Sequence, residues 1–148
     1  QCTCTPTQVN RYRSRISGPL LDRIDIQVEV SNVDYEDLSS TENSETSAEI
    51  KKRVNKTRKL QLERYKDYNI YSNSQLDAGM LKKFCPLGEE ENAILRAAFD
   101  NLGLSARAHS RILKVARTIA DLEGSENIKS EHIAEAIQYR SLDRKYFE

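Results

Sequence analysis

What this 148-residue sequence lacks narrows it first. It carries no net charge, because 23 Lys and Arg balance 23 Asp and Glu, so no global basic field draws it to nucleic acid. Chain breakers are scarce, at three Pro and five Gly, beside 38% hydrophobic and 31% charged residues. That balance fits a soluble, helix-rich domain with a real core and excludes fibrous and disordered classes. No apolar run approaches the roughly 18 residues of a membrane span, and no signal peptide opens the chain. No membrane partner is expected, and a reducing cytoplasm is the expected compartment. Cys2, Cys4 and Cys85 are odd in number, a poor basis for a disulfide framework. The first residue is not Met, and a Cys-Thr-Cys run sits at the edge, as expected of a piece of a longer chain. Catalytic equipment is missing as well. There is no phosphate-gripping G-x-x-x-x-G-K-[ST] loop and no acidic Walker-B motif after a hydrophobic strand. Nor is there a nucleophile–base pair, a paired-acid site or a complete metal-ligand set.

What is present falls into three stretches. Residues 1–33 begin with a polar, basic arm (Arg11, Arg13, Arg15) punctuated by Ser17-Gly18-Pro19. The run Ile24-Asp25-Ile26-Gln27-Val28-Glu29-Val30 then alternates β-branched and polar residues, which predicts one half-buried strand. Residues 34–46 are acidic and rich in Ser and Thr, and read as a solvated linker. Residues 47–148 read as a helical domain, so the fold class is mainly α, one strand and an irregular arm followed by a bundle of about five helices. Thr46 and Glu49 match a capping box for a basic helix ending near Tyr65. A helix is expected from about Ser74 to Phe84, stopped by Pro86. Glu89-Glu90-Glu91 open another at the positive end of its dipole, with Gly103 as terminator. Ser105 caps a helix ending at Gly124, and Ser130 caps the last one.

The helix after Ser105 is the most regular. At about 100° per residue, Ile112, Val115, Ala116, Ile119 and Leu122 fall on one face, and Arg107, Arg111 and Lys114 form a row on the other. A solvated basic face and a row of cations aimed at an anion both fit, and periodicity does not choose.

Two segments carry a resemblance. Ser17-Gly18-Pro19-Leu20-Leu21-Asp22-Arg23-Ile24-Asp25 resembles the SGPLLDRID signature of magnesium-chelatase-like AAA+ ATPases of the ComM/YifB type. Leu104-Ser105-Ala106-Arg107 through Val115-Ala116-Arg117-Thr118-Ile119-Ala120-Asp121-Leu122 is similar to the LSARA…VARTIADL segment of the same family. The resemblance covers essentially the whole chain, from the end of an ATPase core through its C-terminal helical lid. It implies that Arg23 acts as an arginine finger reaching a neighbouring subunit's nucleotide, and that Arg107 is the sensor-2 arginine over its own subunit's nucleotide, with Arg111 and Lys114 as supporting charges. It also implies ATP and Mg²⁺ in the longer protein, none bound to this piece, with the ATPase core of the same chain and neighbouring subunits of a ring as partners. A structural pairing of Arg23 with Asp22 or Asp25 is the plainer alternative. Cys2 and Cys4 supply two of the four ligands a structural zinc site needs; family members carry a further pair upstream, so they are either half of a split zinc site or two free thiols.

Other residues are assigned plainer roles. Cys85 reads as a small buried hydrophobe, Arg117 as an i,i+4 partner of Asp121, and His109 and His132 as surface residues. Lys51, Lys52, Arg53, Lys56, Arg58 and Lys59 could meet DNA phosphates, but they spread around their helix, which favours a solvated face. The functional expectation is therefore a lid and sensor portion of a DNA-remodelling or chelatase-type motor. The alternative is a stand-alone helical nucleic-acid-binding or interaction module.

Overall fold

The computed structural model describes residues 3–21, 23–32 and 45–140. Seven α-helices lie among them: α1 (Pro6–Arg13), α2 (Gly18–Leu21), α3 (Ser47–Arg64), α4 (Ala78–Phe84), α5 (Glu89–Leu102), α6 (Ala106–Glu123) and α7 (Ser130–Gln138), with a 3₁₀ turn at Asn73–Gln75. The chain is mainly α, as its composition predicts. Helix α6 is the axis of the bundle. It packs against α3, α4, α7 and the 3₁₀ turn, and α5 closes over α7.

Local chemistry sets most boundaries. Thr46 and Glu49 cap α3 reciprocally, with the Glu49 amide donating to Thr46 Oγ1 at 3.3 Å and the Thr46 amide to Glu49 Oε2 at 2.8 Å. Asp77 accepts from the Met80 amide at 2.8 Å and starts α4. Helices α5 and α6 both end on a left-handed glycine, Gly103 at φ 58° and Gly124 at φ 82°, a backbone state open to Gly at no steric cost.

The core gathers Tyr65, Leu76, Leu81, Cys85, Leu95, Ile112, Leu113, Ala116, Ala120, Ile128, Ile133 and Ala136. Phe84 stands edge-on to Tyr65 and Tyr68, with ring centroids 5.0 and 5.1 Å away, the arrangement aromatic quadrupoles favour. Beside this apolar core lies a buried polar one. Asp121, its side chain fully buried, accepts from Arg64 at 2.8 and 2.5 Å, from Arg117 Nε at 3.0 Å and from Asn73 Nδ2 at 2.9 Å. Arg117 in turn donates to the carbonyls of Ser125 and Glu126. The expected Arg117–Asp121 pair thus exists, inside a larger network.

Several expectations need correction. No strand forms among the described residues, and the 24–30 run meets helix-borne and loop partners instead, with the Ile24 amide donating to the Leu21 carbonyl and the Gln27 amide to the Tyr139 carbonyl, both at 2.9 Å. A strand needs a neighbour for alternate amides, and no strand lies beside it among the described residues. The arm is not irregular throughout. Thr5 and Gln8 form a capping box for α1, and Pro6 suits its first turn, while Gly18 and Pro19 open α2 rather than break the chain. The helix expected from about Ser74 splits at Leu76 into the 3₁₀ turn and α4, because Asp77 re-caps the chain. Ser130 does not cap α7. Lys129 holds that position, its amide donating to His132 Nδ1 at 2.9 Å, and His132 is buried rather than exposed. On α6 the buried stripe centres on Ile112, Ala116 and Ala120, leaving Leu122 41% exposed. Of the acidic linker, 34–44 lie outside the described residues, as do 141–148 of the helical domain.

Burial alone pushes the Asp121 carboxyl up, but hydrogen bonds from Arg64 and Asn73 and the charges of Arg117 and Arg64 outweigh it and hold it below the usual range. A carboxylate depressed in the folded state stabilises above its unfolded pKa, and that contribution is lost as pH falls through the folded value. Acid titration should therefore cost the native chain stability below about pH 4, with Asp121→Asn lacking that component. At neutral pH, Asp121→Ala leaves buried cations unpaired and should lower unfolding free energy by about 3–5 kcal/mol in a urea melt.

Candidate functional site

Ser105 Oγ accepts from the Ala108 amide at 3.1 Å, so Arg107 falls in the first turn of α6. Amide hydrogens and the helix dipole favour anions there. Arg107 is exposed. Arg111 follows one turn on and Lys114 after it, and both have partners within the chain. Lys114 Nζ donates to the Ser74 carbonyl at 2.8 Å. Arg111 donates to the Arg23 carbonyl at 2.6 Å and pairs with the Asp25 carboxylate.

A second arginine reaches the same segment from α7's end. Arg140, 2% exposed, donates to the Ile24 carbonyl at 2.5 Å. With the Gln27–Tyr139 bond, these contacts place Asp25, Ile26 and Val28 on the wall of a groove of about 630 Å³ beside α6 and the end of α7. Arg107, Arg111 and Lys114 line its basic side, and Val115, Ile119 and Leu122 its apolar side, with Ile26 and Val28 contributed by the 24–30 run. The two sides adjoin rather than oppose each other as expected above, because Leu122 lies only about 20° around the helix from Arg111, and Val115 about 40°. Arg23 itself is exposed in a turn, its amide donating to the Leu20 carbonyl at 3.0 Å. Among the described residues its guanidinium forms no ion pair; Asp22 lies outside them, and Asp25 pairs with Arg111 instead.

Comparison with known proteins now bears on this geometry. Residues 44–140 match the family described as magnesium chelatase, subunit ChlI C-terminal, and residues 1–38 match magnesium chelatase, subunit ChlI. The chain belongs to the magnesium-chelatase-like family. It is 43% identical to competence protein ComM of Haemophilus influenzae over 141 residues and 42% identical to the uncharacterized protein YifB of Escherichia coli over 142. Each match covers 95% of this chain and 27% of the relative, so the chain spans just over a quarter of their length. A Mycobacterium bovis protein, Mb2921c, is 29% identical over 139 residues.

In this magnesium-chelatase-like chain, Arg111 connects the Arg23 segment to the helix that carries Arg107. Arg111, read from sequence as a supporting charge, spends its donors on protein groups. Sequence marks neither Arg140 nor the Arg64 and Asn73 members of the Asp121 network, only its Arg117–Asp121 pair. The signal available for Arg140 was weak, since nothing local marks an arginine at a helix end as buried. Glu123, Glu131 and His132 bring ligand-type atoms within 4.8 Å of one another. With His132 Nδ1 accepting from the Lys129 amide, Nε2 carries the proton and donates to Glu123 at 2.6 Å. That bond, ahead of Lys129, holds the Glu123 carboxyl below its usual range. Lys129 Nζ also reaches both carboxylates. The cluster is a satisfied helix start whose ring nitrogens are both in use. No helix among the described residues is long and apolar enough to cross a membrane.

Cys2 lies outside the described residues, and Cys4 is exposed. Burial pushes the Cys85 thiol up to about 11, and only thiolate reacts readily. Brief alkylation at pH 8 should therefore modify Cys4 and spare Cys85 until the chain is unfolded in urea. Peptide mass mapping reads this directly, and equal labelling of both in the native chain would contradict the buried placement.

Proposed function

We propose that this chain supplies the finger segment and helical lid of an AAA+ ATPase, with ATP and Mg²⁺ gripped by a phosphate loop elsewhere in a longer polypeptide. The observation that carries the reading is Arg107, exposed in the first turn of an 18-residue helix, with the Arg23 segment tied one turn away. Phosphoryl transfer spreads negative charge over the γ-phosphoryl group, and catalysis there is positioning plus electrostatic stabilisation. Arg107 is the sensor-2 cation in this reading and Arg23 the finger, a contribution of about 10³ to 10⁵ in rate. Arg111 serves both by holding the finger segment to the lid.

That tie bears on which nucleotide each arginine meets. With the Arg23 segment tied to the helix that carries Arg107, this reading has both arginines addressing a single nucleotide at a subunit boundary rather than two separate sites. The partners in this proposal are the ATPase core of the same polypeptide and the neighbouring subunits of a ring. A DNA-acting motor follows from the competence protein among the relatives, and metal-insertion remodelling from the family's description. A zinc site using Cys2 and Cys4 remains part of the proposal for the longer protein alone, and a cytoplasmic location goes with the motor reading.

Two outcomes are expected. The purified chain should release no phosphate from ATP above background, and activity co-eluting with it on a sizing column would refute that. In the full-length polypeptide, Arg23→Ala and Arg107→Ala subunits should both regain activity when mixed with subunits defective only in the phosphate loop. Rescue of Arg23→Ala alone would place Arg107 over its own subunit's nucleotide, and rescue of neither would remove the finger assignment.

A further inference from the structure

The 23–27 segment is held unlike an ordinary loop. Two arginines from different places on the lid read three oxygens of five consecutive residues: Arg111 takes the Arg23 carbonyl and the Asp25 carboxylate, and Arg140 takes the Ile24 carbonyl. The Tyr139 carbonyl takes the Gln27 amide. Backbone outside helices and sheets still needs partners for its polar groups, and here they come from α6 and from Tyr139 and Arg140 just past the end of α7. The apolar edge of the segment is only half engaged, with Ile26 51% and Val28 63% exposed. The hold is therefore polar and directional, and charge-assisted at both arginines.

We infer that Arg111 on α6, with Tyr139 and Arg140 past the end of α7, forms a receptor for residues 23–27, a clasp in which Arg111 acts as a positioning residue for Arg23. Arg111 fixes the carbonyl of the finger residue itself, so the direction in which the Arg23 side chain leaves the surface is set by the lid. The clasp stands on its own contacts. Its consequence for catalysis rests on the finger reading above. A guanidinium satisfied by a carbonyl and a carboxylate has no need of a phosphate.

Amide hydrogen exchange on the chain itself, without nucleotide, isolates the clasp from the ATPase reading. Gln27 should exchange at least tenfold more slowly than Val28, its neighbour with no described amide partner. Arg111→Met and Asp25→Asn should each erase most of that difference, while the Ala116 amide in the core of α6 keeps its protection and so reports an intact fold. Arg111→Lys keeps the charge without the two-handed reach and should fall between native and Arg111→Met. Equal exchange of Gln27 and Val28 in the native chain would overturn the clasp, as would unchanged Gln27 protection in both Arg111→Met and Asp25→Asn. A lysine variant no better than the methionine one would overturn the charge-based hold. None of these results depends on ATP hydrolysis, so loss of the clasp would leave the motor proposal to its own test.

Discussion

Asp121 accepts hydrogen bonds from Arg64 on α3, Asn73 in the 3₁₀ turn and Arg117 on its own helix, and its full burial leaves no water to replace a lost donor. Apolar contacts tolerate sliding, whereas a buried carboxylate meeting two guanidinium groups fixes distance and angle. The consequence runs outward. Arg117 is held on one side by Asp121 and on the other by the Ser125 and Glu126 carbonyls, so the chain leaves α6 in one direction. The His132 cap then starts α7 at a set place, and the spacing of α6 and α7 defines the groove. An apolar replacement of the whole network could be as stable, but it would not aim α7.

Much of the bundle is legible in the sequence because its signals are local. A capping box, an Asp or Ser before a helix and a glycine after one each act within a few residues, and α3, α5 and α6 begin and end where such residues predict. Other features depend on partners far along the chain. Alternation in the 24–30 run shows which residues share a face but not whether another strand lies beside it. His132 looks like a surface residue until its ring is seen accepting the amide three residues back. The α6 stripe follows the same lesson: period 3.6 gives the angles, while α4 and α7 decide which angles are buried.

The candidate site divides similarly. Arg23 and Arg107 were singled out from motifs, and both stand exposed as such a role requires. Neither motif discloses that the two segments meet, since Arg111 and Arg23 are 88 positions apart. That link changes the meaning of the basic row. Arg111 and Lys114 are occupied by carbonyls and a carboxylate, while Arg107 stands exposed in the first turn of α6. The basic surface of α3 carries no comparable geometry, as Arg53 pairs with Glu45 and its neighbours face solvent.

The central claim is that position on this face, and not cationic charge in general, makes an arginine matter to nucleotide chemistry. Steady-state ATP hydrolysis by the full-length polypeptide tests it when Arg107→Ala is set against Arg96→Ala, since Arg96 is an equally exposed arginine on α5. The account predicts a fall in kcat of about 10²-fold or more for Arg107→Ala, the scale of one lost transition-state donor, with Arg96→Ala close to native. Equal rates for the two variants would contradict it.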